Sequence, residues 1–316
     1  MAVSKNLWLN GTIQKLGGAV TYQLKGQQII RKEAAKVSNP RSKAQMNQRV
    51  RLANLVNFYR ANASWMKRGA FENKKQKQSD YNAFVSRNIK PGRIALTKAE
   101  ALAGAVIVDF YQVTDGSLES INTSVNGNTL SIPASNLTTS NSPKVNEVTM
   151  ALMETYPSLK LGDQISIIVL LNKRDTAGYP RVKVFANEFL LDEDNELSVS
   201  EYVRVGNRER AISTTNGALK LAVTPQNGES VAFVVCVSRT TSNGLKVSPS
   251  WVDMSDEAFV NGYSDSTQFQ KAIDSYGESS VNFLDSSNVQ AGNSSSSGGD
   301  EDQGGSGSGD PGDVES

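Results

Sequence analysis

The chain has 316 residues, a formal net charge of +1, no histidine and one cysteine, Cys236. Without histidine it cannot form a Ser-His-Asp triad, a Cys-His pair or a histidine-ligated metal or haem site. A single cysteine also excludes a disulfide within the chain. We therefore expect a protein that is not an enzyme and that carries no cofactor.

The charge is distributed unevenly along the chain. Residues 1–100 carry 20 lysines and arginines against 4 acidic residues, residues 101–285 carry 13 against 22, and residues 286–316 carry none against 6. This asymmetry predicts that the first hundred residues face something negative. The candidates are nucleic acid, an acidic partner protein and the acidic part of a neighbouring copy. The alternative is a solvated basic surface without a partner.

Residues 1–100 are predicted to form a basic α+β module that opens with short strands. Glycine-containing turns separate two stretches, residues 20–24 and 28–31, in which apolar and polar residues loosely alternate. Such a pattern indicates two or three short strands in a meander.

Two helices are predicted to follow in the same module. The first spans residues 41–67, with Asn39 as its cap and Pro40 at its first position, because apolar residues recur there at three- and four-residue steps. Gly69 is its expected stop. The second helix spans residues 78–89 and ends before a Pro-Gly pair.

Residues 101–285 are predicted to form an immunoglobulin-like antiparallel β-sandwich, because short apolar strands follow one another with turn signals and without helical periods between them. Asn126-Gly127 indicates one hairpin, and Asn243-Gly244 indicates another at the end of the series. A short helical patch near residues 255–275 is weakly indicated. The predicted strands are Val106–Tyr111, Ile121–Val125, Thr129–Ile132, Gln164–Leu171, Arg181–Phe185, Glu201–Val205, Ala218–Val223, Val231–Ser238 and Leu245–Ser248.

Residues 286–316 are predicted to be a disordered acidic tail. Glycine and serine make up 17 of these 31 residues, and six others are acidic. Such a segment cannot bury enough apolar surface to offset the entropy of ordering it. It is expected to be a solvating tail, a linker end or a charge mimic that competes for the basic module.

Other chemistry-bearing patterns are weak. The acidic run Asp192–Glu196 could bind calcium, but it lacks the glycine and the final glutamate of an EF-hand loop, so a solvated turn is favoured. Cys236 lies in an apolar strand and is expected to be buried and structural. No phosphate-binding loop or dinucleotide fingerprint is present. A glycosidase built on two carboxylates needs no histidine, but no suitable pair can be placed.

The basic residues are the stronger signal. A helix N-terminus with arginines nearby is a natural site for a phosphate or a carboxylate. Trp8, Tyr22, Trp65 and Phe71 could stack on bases, but they could equally be core residues. The predicted partner-binding residues are Arg31, Lys32, Lys36, Arg41, Lys43, Arg49, Arg51, Lys74, Lys75 and Lys77.

The N-terminal residues also carry a resemblance. The stretch Gly11–Tyr22, then Gly26, Ile30-Arg31 and the run Asn39-Pro40-Arg41-Ser42-Lys43-Ala44-Gln45-Met46-Asn47-Gln48-Arg49 resemble a family of uncharacterised proteins common in Bacteroidota and their phages. Proteins of that family combine a glycine-rich β opening, an Asn-Pro-Arg-x-x-Ala-Gln-x-x-Gln-Arg helix start and a β-sandwich. The resemblance implies a non-enzymatic structural or interaction protein of phage or prophage origin.

These observations predict a structural or assembly protein, such as a head or tail accessory component of a phage virion, that docks through its basic module. Its expected partners are other structural proteins or copies of itself, and it is expected to be an oligomer. The alternative is a nucleic-acid-binding protein that places the basic module on phosphates. No signal peptide or membrane segment is recognised, so the expected location is the virion or the host cytoplasm.

Overall fold

A computed structural model describes residues 2–4, 15–16, 19–24, 27–32, 42–67, 69–215, 217–242 and 244–277. The acidic tail predicted for residues 286–316 lies outside these ranges. The first part contains strands β1 (Ala2–Ser4), β2 (Lys15–Leu16), β3 (Ala19–Leu24) and β4 (Gln27–Lys32), then helices α1 (Lys43–Ala61), α2 (Ala63–Met66), α3 (Asp80–Asn88) and α4 (Lys98–Ala103). The four strands form one antiparallel sheet in the order β1-β4-β3-β2, so the predicted short strands are confirmed.

The second part is mostly β. Its strands are β5 (Gln112–Thr114), β6 (Ser124–Asn126), β7 (Thr129–Pro133), β8 (Gln164–Arg174), β9 (Pro180–Leu190), β10 (Arg210–Thr215), β11 (Ala218–Val223), β12 (Glu229–Thr241), β13 (Gly244–Val247), β14 (Ser250–Trp251) and β15 (Asp253–Met254). Helix α5 (Val145–Thr155) lies between β7 and β8, and helices α6 (Ala258–Ser264) and α7 (Ser266–Gly277) follow the strands. The weakly indicated helical patch near residues 255–275 is therefore confirmed.

The predicted helix 41–67 is two helices. Ser42, rather than the predicted Asn39, caps α1, since its hydroxyl accepts a hydrogen bond from the Gln45 N–H at 3.4 Å. The predicted cap itself and Pro40 lie outside the described residues. The break falls at Asn62, whose side-chain amide and backbone N–H both donate to the carbonyl of Phe58. An asparagine that bonds back onto the last turn ends a helix that the apolar spacing alone would extend.

The largest sheet is buried on both faces. Its strands lie in the order β13-β12-β8-β9, with β15 also paired to β12. Every residue from Ile165 to Asn172 on β8 is buried. Alternate side chains enter two different cores: Ile168 and Val234, which are partners across β8 and β12, join one core, and Val169 and Phe233 join the other. Burial on both faces explains why these strands are continuous apolar runs in the sequence.

Each face of this central sheet has its own cover. Helices α1 and α3 pack on one face through a core that contains Leu55, Phe58 and Phe84. The other face packs against α5 and a second antiparallel sheet in the order β10-β11-β7-β6. The fold is therefore mixed α+β, mostly β, with antiparallel sheets; the immunoglobulin-like arrangement stays a prediction. Residues on both sides of position 100 share the helical core.

Several predicted elements differ from the structure. Both predicted hairpins are present, β6–β7 and β12–β13. Helix α5 and strand β10 were not expected, so the expectation that no helix interrupts the strands is wrong. The predicted strand Glu201–Val205 is wrong, because a 3-10 turn, Val199–Glu201, is followed by irregular chain.

The predicted strand Val106–Tyr111 is also wrong, and buried asparagines explain why. The Asn54 side chain on α1 accepts from the Ile107 N–H at 2.9 Å and donates to the Ile107 carbonyl at 2.8 Å. Asn88 on α3 pairs in the same way with the N–H and carbonyl of Gln112. The backbone of this apolar segment is thus partly satisfied by side-chain amides, so it crosses the helical core as extended chain without joining a sheet there.

Candidate interaction surface

The structure describes only some of the predicted basic residues. Arg31 and Lys32 are exposed on β4, and the Arg31 guanidinium lies 5.6 Å from the centre of the Tyr22 ring. Lys36 and Arg41 lie outside the described residues. Lys43 begins α1, and its side chain also lies outside what the structure describes.

Arg51 makes its contacts within the fold. Its guanidinium donates to the Lys90 carbonyl at 3.4 Å and lies 5.8 Å from the centre of the Phe269 ring on α7. An arginine stacked on an aromatic ring and bonded to backbone links separate segments of the chain. We therefore assign Arg51 to the attachment of α7 to α1.

The lysines after α2 form a separate group. The Lys74 ammonium pairs with Asp80 at 2.6 Å, and Lys75 and Lys77 are exposed in the loop that precedes α3. Helix α1 rises about 1.5 Å per residue, so its last turn lies on the order of 15 Å from Arg49. The loop comes after that last turn. The described side chains of the predicted list therefore belong to three different parts of the chain, namely β4, α1 and the loop before α3.

The structure instead shows a groove, which we call the basic groove, between α1, α4 and the end of α7. Its volume is about 410 Å³. Three cationic side chains, Arg49, Arg60 and Lys98, line it together with apolar side chains, and Leu102 is 69% exposed beside them. The other lining residues are Leu52, Ala53, Val56, Asn57, Ala101 and Tyr276.

Buried polar contacts fix the walls of the basic groove. The Asn57 amide donates to the carbonyls of Ala101 and Ala105 at 3.1 and 3.0 Å, which holds α4 against α1. Thr97 and Glu100 form a reciprocal capping box at the start of α4. Because the backbone of both helices is anchored, the groove is formed before any partner binds.

The end of α7 reaches one end of the basic groove. The Ser275 hydroxyl accepts from the Lys98 N–H at 2.9 Å. Burial, and then the charge of Glu100, raise the pKa of the adjacent Tyr276, while the charge of Arg49 opposes them. Arg49, Lys98 and Tyr276 therefore mark one end of the groove, and Leu102 and Arg60 mark the other.

An acidic surface of matching character lies elsewhere on the molecule. The acidic loop, residues 192–196, follows β9 and exposes the side chains of Asp192, Glu193, Asp194 and Glu196. Leu197 follows directly and is half exposed. The Asp192 N–H donates to the Thr149 hydroxyl on α5 at 3.1 Å, and the Leu191 N–H donates to the Asp163 carbonyl in the loop before β8 at 2.8 Å. Three other exposed apolar side chains lie on these segments or next to the loop: Met150, Leu161 and Leu190.

The acidic loop does not form a recognisable metal site. The described residues contain no group of three or more histidine, cysteine, aspartate or glutamate side chains placed to hold a metal ion. The loop instead makes local turns, such as the Asp194 N–H donating to Asp192 Oδ1 at 3.0 Å.

Cys236 is buried on β12, as predicted, and burial raises the pKa of its thiol. A raised thiol pKa disfavours the thiolate that a nucleophilic cysteine needs. Two of the aromatic residues considered for base stacking, Trp65 and Phe71, are engaged in packing. Phe71 is fully buried, and the Trp65 indole N–H donates to Asn62 at 3.0 Å. Trp8 lies outside the described residues.

Within the described chain, no helix is both long enough and apolar enough to cross a lipid bilayer. The sequence profile of a family of unknown function, DUF6266, matches residues 11–153. This match supports the resemblance to an uncharacterised family, and its range includes α1 to α4 and therefore most of the basic groove. No curated protein and no solved structure matches the chain.

Proposed function

We propose that this chain is a non-enzymatic assembly protein whose copies associate head to tail, with the basic groove of one copy against the acidic loop of the next. The observation that carries the proposal is the basic groove: a preformed apolar depression with three cations around it. A surface of this kind fits an acidic segment that also presents apolar side chains.

The acidic loop has the required properties. It combines four exposed carboxylates with the exposed side chains of Leu190 and Leu197. The apolar contacts would supply most of the affinity, and the opposite charges would set orientation and association rate. The same opposition holds for the whole chain, because residues 1–100 are strongly basic and residues 101–285 are acidic.

The two surfaces belong to opposite sides of the central sheet. The basic groove lies on α1 and α4, in the helical layer. The acidic loop lies beside α5, which packs on the other face of the sheet. One molecule therefore cannot bring them together, whereas two copies can. A contact between different surfaces of identical chains produces a ring if it closes and a filament if it does not.

The placement of this assembly in a phage virion, as a head or tail accessory component, rests on the resemblance of the N-terminal motifs. The absence of histidine fits a structural role, as does a groove without catalytic side-chain pairs.

Nucleic-acid binding is the second candidate, and the excess of 20 basic over 4 acidic residues in the first hundred supports it. Two observations favour assembly over it. The basic side chains are dispersed, with Arg51 and Lys74 engaged within the fold. The basic groove has an apolar floor, which a phosphate backbone does not require.

A charge-swap experiment tests the proposal. Sedimentation of the full chain measures self-association of the wild type, of Arg49→Glu/Arg60→Glu and of Asp192→Lys/Glu193→Lys. Each double variant is expected to weaken association about 100-fold, because like charges that face each other cost several kcal/mol. The chain carrying all four changes is expected to regain association.

The matched control is Lys75→Glu/Lys183→Glu, which reverses two exposed lysines outside the groove. It is expected to associate as the wild type does. Equal weakening by this control, or no recovery in the fourfold variant, would contradict the proposed pairing of surfaces.

A further inference from the structure

The segment that follows α7 starts at the basic groove. Tyr276 lines the groove, and the described chain ends one residue later, at Gly277. The next residues are Glu278-Ser279-Ser280-Val281-Asn282-Phe283-Leu284-Asp285. This segment has three large apolar side chains between two carboxylates, which is the same combination that the groove fits.

From these observations we infer that residues 278–285 bind in the basic groove of their own molecule. The inference deepens the proposed function, since the same groove would then be covered by the chain's own acidic segment until a neighbouring copy displaces it. The occupancy itself requires only the groove and the segment, so it can be tested without any self-association.

The dimensions agree with this binding mode. Arg49 and Arg60 are eleven residues apart on α1, which corresponds to about 16 Å along the helix axis. Seven residue steps separate Glu278 from Asp285, and they span at most about 23 Å when extended. The segment can therefore cover the groove from end to end with a bent backbone, and its attachment at Gly277 places no gap before it.

The order of charged and apolar residues along the segment also matches their order along the basic groove. Tyr276 and Ser275 lie at the end of the groove marked by Arg49 and Lys98, so Glu278 would begin the bound segment at that end. Asp285 would then reach towards Arg60 at the other end. The apolar residues between them would cover the groove floor, which is formed by Leu52, Ala53, Val56 and Ala101.

Attachment to the same chain allows a weak contact to keep the segment bound. A segment joined through a short linker has an effective concentration on the order of millimolar at its site. A contact too weak to hold a free peptide at micromolar concentration is therefore sufficient. No basic residue occurs between residues 278 and 316, so nothing in the rest of the tail opposes its approach to the cations.

A disulfide-trapping experiment on the full chain tests the inference. Leu102→Cys/Phe283→Cys places one thiol on the groove and one in the segment. The matched control is Gln270→Cys/Phe283→Cys, because Gln270 is exposed on α7 only seven residues before Gly277 and is also within reach of the segment. Cys236 stays in both variants, since it is buried. Mild oxidation is followed by mass spectrometry at a protein concentration where the chain is monomeric.

The expected result is an intramolecular disulfide that forms at least tenfold faster with Leu102→Cys than with Gln270→Cys. Adding Arg49→Glu/Arg60→Glu is expected to remove most of that difference, with circular dichroism confirming the fold. Equal rates in the two variants, or disulfides only between molecules, would overturn the inference. Failure of the charge-swap experiment, through equal weakening by its control or no recovery in the fourfold variant, would leave the rate difference in the otherwise wild-type chain unchanged. The two proposals can therefore fail separately.

Discussion

The two faces of the central sheet are covered by different physical means. On one face, helices α1 and α3 contribute apolar side chains and also buried asparagines, whose amides bond to the backbone of residues 101–112. On the other face, the covering strands pair with each other, so most of their backbone groups are satisfied in ladders. Fewer buried polar side chains, such as Asn187 and Thr149, bond to backbone groups there.

The face covered by paired strands also has ion pairs near the two ends of β12. The Arg208 guanidinium is paired with Glu229 at one end of the strand, and Arg239 donates to both oxygens of Asp163 at 2.6 Å near the other end. The helical cover therefore satisfies the unpaired backbone of residues 101–112 with buried asparagine amides, whereas the paired cover satisfies most of its backbone in ladders and places these two ion pairs near the strand ends. The predictions below test that difference.

The largest effect is expected in the helical core. Phe58 is fully buried and packs against the rings of Phe84 and Tyr111. Phe58→Ala is expected to lower the free energy of unfolding by about 3–5 kcal/mol, because it removes buried apolar surface and leaves a cavity. Urea unfolding measures the change. Phe110→Ala, at an exposed ring, is the control, and an equal loss there would contradict the assignment of the core.

A somewhat smaller effect is expected at Asn54. Asn54→Leu keeps the volume approximately but leaves the buried N–H and carbonyl of Ile107 without their partner. The expected loss is about 2–4 kcal/mol, since each unsatisfied buried group costs about 1–3 kcal/mol. Asn82→Leu, at an exposed position of α3, is the control. An Asn54→Leu chain as stable as wild type would show that the amide does not hold this segment.

The ion pair on the other face predicts a pH dependence. The hydrogen bonds from Arg208 lower the pKa of Glu229 to about 2. A lowered folded-state pKa means that the ionised carboxylate adds stability above its unfolded pKa of about 4.3, and that this stability is lost as the pH falls towards 2. Glu229→Gln is therefore expected to flatten the decline in melting temperature between these pH values. An unchanged slope would contradict the assignment.

The smallest effect on stability is expected at Arg51 of α1, and Arg60 on the same helix is the comparison. Arg51→Ala is expected to lower stability by about 1 kcal/mol, because it removes the stacking on Phe269 and the bond to the Lys90 carbonyl. Arg60→Ala is expected to leave stability unchanged while weakening self-association. Thermal unfolding and sedimentation of both variants check this. Loss of stability in both would assign Arg60 to the fold rather than to the groove.

Local patterns predict part of this fold well. The continuous apolar runs on β8 and β12 and the glycine turns between strands predict the main strands and both hairpins. The apolar stripe on α1 predicts a helix that packs on the core. These features depend on periodicity and turn chemistry, which a single sequence shows directly.

The asparagines explain what the patterns missed. Spacing of apolar residues cannot show that Asn62 ends α1, or that Asn54 and Asn88 take the backbone partners of an apolar segment. The basic groove was only partly foreseen. Arg49 was among the predicted residues, whereas Arg60 and Lys98 were not, because α1 and α4 meet only through tertiary contacts such as those of Asn57.

The most direct test of the account is the mass of the wild-type chain in solution. Size-exclusion chromatography with light scattering would be run at low and high salt, with and without nonspecific duplex DNA. The account predicts a defined oligomer that persists at high salt and ignores DNA, because its interface has an apolar centre. A monomer that joins DNA at low salt and leaves it at high salt would contradict head-to-tail assembly and favour phosphate binding.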